Sequence, residues 1–218
     1  MSGSDKPEGD LDVALRAADP DRWLSSRFVA DLQARADVVA VYAFDVELAR
    51  APRVASNPLI AEMRLVWWRE ALEEAFGPGP VRRHLTAQAL ATAISRGSLP
   101  RAALEGMIDV RYRELDIAPL TDAERLELAD GSGGASAVLA AQILDPAADA
   151  QAARAGGALW ALRRAGGAPS PELIGAARAG ARRLSARAFP AVAHASLTAS
   201  GEFARRLQIT WSVARGRI

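Results

Sequence analysis

Apolar residues recur three or four positions apart along most of the chain, as in Ile60, Met63, Trp67, Ala71 and in Phe203, Leu207, Trp211, Ala214. That spacing stacks side chains on one helix face, and each stripe reads as a set of core contacts. No segment alternates apolar and polar residues over strand length, so the pattern predicts an all-α, multi-helix bundle. Local signals set the helix limits. Asp19-Pro20 and Asn57-Pro58 each pair a capping side chain with a proline suited to a first turn. The first opens a helix; a second runs from Leu32 to Arg50, with Pro52 marking its end, and the third runs from Asn57-Pro58 to Phe76, where Gly77-Pro-Gly-Pro80 stops it. Further helices are predicted over 81–96, 101–118, 122–130, 134–144 and 148–165, one of them behind the capping box Thr121 to Glu124. Ser170-Pro171 starts another that reaches Arg187, and Pro190 and Gly201 punctuate the last two. Residues 1–10, polar and acidic, are expected to be disordered, with 11–218 forming a single helical domain.

Composition narrows the chemistry. The 218 residues include 49 alanines, the best helix former, and no cysteine, which excludes disulfides, thiolate metal sites and a cysteine nucleophile. The two histidines, His84 and His194, stand far apart with no visible acid or nucleophile beside them, and both read as structural or surface residues. The net charge of +1 hides a split. Residues 1–130 carry 16 basic and 22 acidic side chains, a balance of −6; residues 131–218 carry 11 and 4, a balance of +7. The last third therefore suits something negative: an anionic membrane face, a partner, or the acidic front of its own fold. The final helix has two readings, a stave buried by its apolar stripe or a basic amphipathic helix lying on an anionic membrane. No basic stripe interleaved with stacking aromatics points to nucleic acid. The start lacks the apolar core of a signal peptide, and the longest apolar stretch, Ala135 to Leu144, is too short to span a bilayer. A cytoplasmic protein, peripheral at the inner membrane face, is the expected location.

Among carboxylates, Glu70 with Glu74 and Glu105 with Asp109 are spaced to share a helix face, as are the ion pairs Arg69–Glu73 and Asp109–Arg113; solvated helix faces are the plainer reading. Of the adjacent Trp67 and Trp68, pointing about 100° apart, one should pack inward and the other border a groove.

Val41-Tyr-Ala-Phe-Asp-Val-Glu-Leu-Ala-Arg50 followed by Arg64-Leu-Val-Trp-Trp-Arg-Glu-Ala-Leu72 resembles the squalene/phytoene synthase family. Asp19-Pro-Asp-Arg-Trp23, Phe28, Leu99-Pro-Arg-Ala-Ala-Leu104 with Ile108-Asp109, and Leu126-Glu-Leu-Ala129 with Gly133 and Leu139 extend the likeness over roughly residues 19–145. The closing Trp211 and Arg215-Gly-Arg217 are similar to tails in one bacterial branch. The resemblance implies an isoprenoid-synthase fold around an apolar cavity for prenyl chains. In the family's catalysts two aspartate-rich helical motifs face each other there and hold Mg²⁺ against a diphosphate. This chain departs from that pattern. Ala49, Arg50 and Arg53 stand where the first motif's aspartates would, leaving Asp45 and Glu47, which point to different sides. Residues 131–218 hold only Asp145, Asp149, Glu172 and Glu202 as acids; Gly156-Gly157 and Ala158 to Arg164 look like the approach to the second motif, which then is missing, as if the C-terminal half were shortened.

The expectation is a member of a divergent branch resembling the mitochondrial complex I assembly factor of that family, with no catalytic or metal-binding residues assigned. Arg50 and Arg53 either grip a phosphate directly, with Tyr42, Asp45, Glu47, Arg64 and Trp68 as neighbours, or pair with Glu47 or water at a helix end. The expected partners are a prenyl diphosphate or lipid, respiratory complex subunits and an anionic membrane. No cofactor is assigned, Mg²⁺ belonging only to the alternative of a divergent prenyltransferase making squalene- or phytoene-like products. A helical protein-interaction module is the other alternative.

Overall fold

In a computed structural model, residues 7–54, 57–97 and 99–218 are described, with side chains from Leu11 onward except at 53 and 54. No strand occurs among them. The bundle is all-α: α1 (Pro7–Ala18), α2 (Pro20–Ser26), α3 (Leu32–Val54), α4 (Pro58–Phe76), α5 (Leu85–Ser95), α6 (Arg101–Asp109), α7 (Asp122–Ala129), α8 (Ala135–Leu144), α9 (Ala150–Arg164), α10 (Pro171–Ala181) and α11 (Glu202–Arg215). The caps work as the sequence predicts. Asp19, Asn57 and Ser170 each accept a backbone N–H of the first turn behind a proline, and Thr121 with Glu124 closes a complete capping box.

The middle of α3 is buried on every side from Asp37 to Asp45, so it is the central stave. One side, with Val38, Val39 and Tyr42, packs on α8 and the C-terminal turns. The other, with Val41, Phe44 and Leu48, packs on α4, α5 and α6.

Several predicted limits are corrected. A helix not predicted, Pro7–Ala18, precedes the one that Asp19-Pro20 opens and includes residues 7–10, expected to be disordered; residues 1–6 lie outside the described residues. α3 continues through Pro52 to Val54, because in a last turn proline forfeits one hydrogen bond rather than a helix. The α6 helix gives way to a 3₁₀ stretch, Val110–Leu115. The glycines of Asp130–Gly134 do not break the chain; they form a π turn that joins α7 to α8. Their role is close approach: a Cβ on Gly157 of α9 would sit 2.1 Å from the Gly133 carbonyl oxygen. After α10, the helix expected to reach Arg187 ends at Ala181, and the small buried residues beyond it make 3₁₀ turns at Phe189–Ala191 and Ala193–Ser196.

Two stripes are also turned relative to expectation. α4 buries Ala61, Leu65, Trp68, Ala71 and Leu72 while Met63 is exposed. In α11 the buried residues are Ile209 and Ser212, and Phe203, Leu207 and Trp211 face outward. No helix among the described residues is long and apolar enough to cross a membrane.

Candidate functional site

Where α2, α3, the 3₁₀ stretch after α6, and α8 meet, a chain of ion pairs fills the core. Arg22, three residues after the cap Asp19, reaches back to it, with Nε donating to Asp19 Oδ2 at 2.6 Å. Its Nη1 donates to Asp45 Oδ2 at 2.7 Å and to Ser136 Oγ at 3.2 Å. Arg111 takes the second oxygen of Asp45 at 2.8 Å and binds Glu114 Oε2 at 2.9 Å. With Arg164 Nη1 3.9 Å from Asp19 Oδ1, three guanidiniums meet three carboxylates.

Burial alone would disfavour the charges here. Asp45 nevertheless sits below the usual carboxylate range, because Arg22 and Arg111 outweigh its desolvation. Arg22 stays charged for the matching reason, held by Asp19 and Asp45 against burial. Its guanidinium also lies 4.4 Å from the Trp160 ring centroid and 5.0 Å from that of Tyr42, an aromatic sandwich that favours a cation. Behind it, His194 meets Tyr42 and Trp160 edge-on. Ser25 donates its hydroxyl to Pro190 O, so its oxygen is left to accept from His194 Nδ1, 3.4 Å away. Burial, followed by Arg22, pushes the His194 pKa down to about 3 and keeps the ring neutral.

Beside this network opens a cavity of about 520 Å³ whose walls include Ala49, Arg50, Arg111, Arg125, Trp160 and Arg164. The Arg111 Nε is shielded from solvent and has no hydrogen-bond partner among the described residues. Each carboxylate lining the cavity, Asp19, Asp45 and Glu114, is already paired with arginine.

The sequence-predicted site residues divide. Glu47, Arg50, Arg64 and Trp68, with Trp67 and His84, border a separate open groove on the α3–α4 side, of about 670 Å³. Arg50 reaches both and pairs with Glu47 at 3.0 Å, the plainer of its two readings. Trp68 packs inward against Phe44 while Trp67 stacks under Arg82, as the adjacent pair suggested. Tyr42 and Asp45 belong to the ionic core instead, and the side chain of Arg53 lies outside the described residues. The spaced carboxylates also have other partners. Glu70 and Glu74 bind Arg82, and Glu105 binds Arg101 within α6, while Arg69 binds Asp109 and Arg113 binds Glu124, so contacts between elements replace the predicted pairs Arg69–Glu73 and Asp109–Arg113. No three acidic or histidine side chains converge on a cation position among the described residues, and Ala49 and the arginine-bound Asp45 do not fit a magnesium cluster.

Arg22, Arg111, Arg125, Trp160 and Arg164 were missed by the sequence reading. Arg22 had a signal, its place three residues from a helix cap; Arg111 had none, because it lies on a 3₁₀ turn that no helical period marks.

The pattern described as squalene/phytoene synthase matches residues 15–165, over half the chain. The chain belongs to the squalene/phytoene synthase family. Both the acid-depleted cavity and the arginine network lie inside that matched span. Family relatives include the protein named NADH dehydrogenase (ubiquinone) complex I, assembly factor 6. The Rattus norvegicus form is 36% identical over 103 residues, covering 47% of this chain and 30% of that protein. The Homo sapiens form is 28% identical over 113 residues, covering 52% and 33%. The matches thus span about a third of those relatives' own length. Among solved structures, a dehydrosqualene synthase in complex with ligand superposes with a TM-score of 0.64 at 15% identity, covering 96% of this chain and 95% of that one. That likeness establishes the isoprenoid-synthase fold.

Proposed function

We propose that this family member holds an amphiphile with a phosphate head, a prenyl diphosphate or a lipid, without magnesium and without ionising it, and that it serves the assembly of respiratory complex I. The observation that carries the binding part is the cavity wall, where the carboxylates are tied up by arginine while Arg50, Arg125 and Arg164 line the space. A guanidinium matches phosphate oxygens directly, so such a wall binds the head through hydrogen bonds. Condensation chemistry needs the departing diphosphate's charge neutralised as it leaves, and fixed arginines already paired with aspartate are poorly placed to supply that. The assembly part is supported by the relatives named complex I assembly factor 6.

Titration calorimetry with farnesyl diphosphate in EDTA tests the binding, with Arg125→Gln as the companion variant. Heat of binding that weakens about tenfold in the variant supports the reading, the loss expected for one charged hydrogen bond. Absence of binding overturns it. Pyrophosphate release on adding Mg²⁺ overturns it in favour of a divergent prenyltransferase. For the assembly part, a deletion strain of the source organism should lose assembled complex I; normal levels would sink that half.

A further inference from the structure

The helix α11 is mounted inside out. Its polar side faces the protein: Arg205 pairs with Asp21, Gln208 donates to Ser196 O at 2.6 Å and accepts from the N–H groups of Thr198 and Ala199, and Ser212 is buried. Ile209 is its one fully buried apolar side chain. Its apolar side faces solvent, with Phe203 77%, Leu207 57% and Trp211 61% exposed. Successive steps of four residues place these three within an arc of about 80°. Ile209 and Val213 already pack on the core from the inner face, so the outward apolar stripe adds nothing to the fold, since burial of those side chains is what would stabilise the bundle.

The charges around the stripe choose its occupant. Arg206 and Arg215 flank it on opposite sides, Arg215 lying 3.7 Å over the Trp211 ring, and Arg217 follows the helix. Glu202, the one carboxylate in the helix sequence, is paired with Arg206. At the N-terminal end, Arg16 and Arg27 both lie over Trp23, which shares a groove with Glu202 and Arg206. The three exposed side chains present on the order of 400 Å² of surface, about half of what each partner contributes to a stable dimer. A narrow apolar ridge between arginines suits shallow insertion among acyl chains, with the guanidiniums at the level of the phosphates.

We propose that α11 docks this protein on an anionic lipid bilayer, with Phe203, Leu207 and Trp211 inserted and Arg206, Arg215 and Arg217 on the headgroups. The proposal is independent of what the cavity holds. It is tested by sedimenting the full chain with vesicles of phosphatidylcholine alone and with about 30% phosphatidylglycerol. The expected result is at least tenfold more bound to the anionic vesicles at low salt, falling as salt rises. Replacing Phe203→Ser and Trp211→Ser together should lower that binding about tenfold or more, with thermal unfolding unchanged because neither side chain is packed. Arg206→Gln with Arg215→Gln should remove the preference for anionic lipid. No binding to anionic vesicles, or binding undiminished in the serine variant, overturns the proposal. A dimer in sedimentation velocity that the serine variant dissociates overturns it too, assigning the stripe to a second copy.

Discussion

His194 is enclosed by Tyr42, Trp160 and Ser25, and its proton affinity there has a measurable consequence. The unfolded chain binds a proton at this ring below its ordinary pKa of 6.5, whereas the folded protein resists until about 3. Stability contributed here is therefore complete above pH 6.5 and is lost as pH falls toward 3, at up to ~1.4 kcal/mol per pH unit. Urea unfolding midpoints at pH 7 and pH 5 measure it; His194→Phe should flatten the difference, and a wild-type profile already flat would show that the ring titrates normally. Asp45 acts in the same direction. Its pKa is held down, so its contribution is present above the ordinary carboxylate range and disappears in acid. Asp45→Asn should cost about 1.5–3 kcal/mol, because Arg22 and Arg111 would each lose a charged acceptor and keep only Asp19 and Glu114. Equilibrium denaturation at pH 7 tests this, and a loss below about 1 kcal/mol would mean that water reaches the pair.

Among the elements, α9 and the π turn approach as closely as two backbones can. A methyl on Gly157 would overlap the Gly133 carbonyl, and one on Gly133 would lie 2.5 Å from the Ala161 Cβ. Gly157→Ala should therefore destabilise by several kcal/mol, while Gly175→Ala in α10, which meets open space, should stabilise by up to about 1 kcal/mol. Melting temperatures of the two variants should move in opposite directions; a shared direction would refute the packing argument. These glycines also mark how far the sequence could be read. Caps were legible because Asp19, Asn57, Ser170 and Thr121 satisfy orphan N–H groups through contacts three residues away. The π turn was not, since a glycine that ends a helix and one that lets two helices touch look alike in one dimension. The stripe of α11 was visible but its direction was not, because the stronger polar contacts of Arg205 and Gln208 decide which face turns inward. Asp45 and Arg50 were legible as departures from the family's motif, whereas Arg111, the partner of Asp45, comes from 66 residues away in the chain.

Over the whole molecule, the two apolar clusters share α3 and α8: Leu139 belongs to one, Ala137 and Ala140 to the other, and Ile143 packs against both. The bundle should consequently unfold as one unit, with the calorimetric and van't Hoff enthalpies equal. Two resolved heat-absorption peaks would show that the clusters melt apart. The split in charge between the chain's front and rear is partly used internally, since Arg154 pairs with Asp130, Arg164 lies near Asp19 and Arg205 pairs with Asp21. The arginine network bears on protein engineering. Writing aspartates into positions 49 and 50 would restore the lettering of a family motif on one helix. The new acids would face Arg111, Arg125 and Arg164 across the cavity, and those fixed cations would neutralise them ahead of any dissolved metal. Building a magnesium site at those positions therefore demands coordinated replacement on several helices, with the guanidiniums removed first.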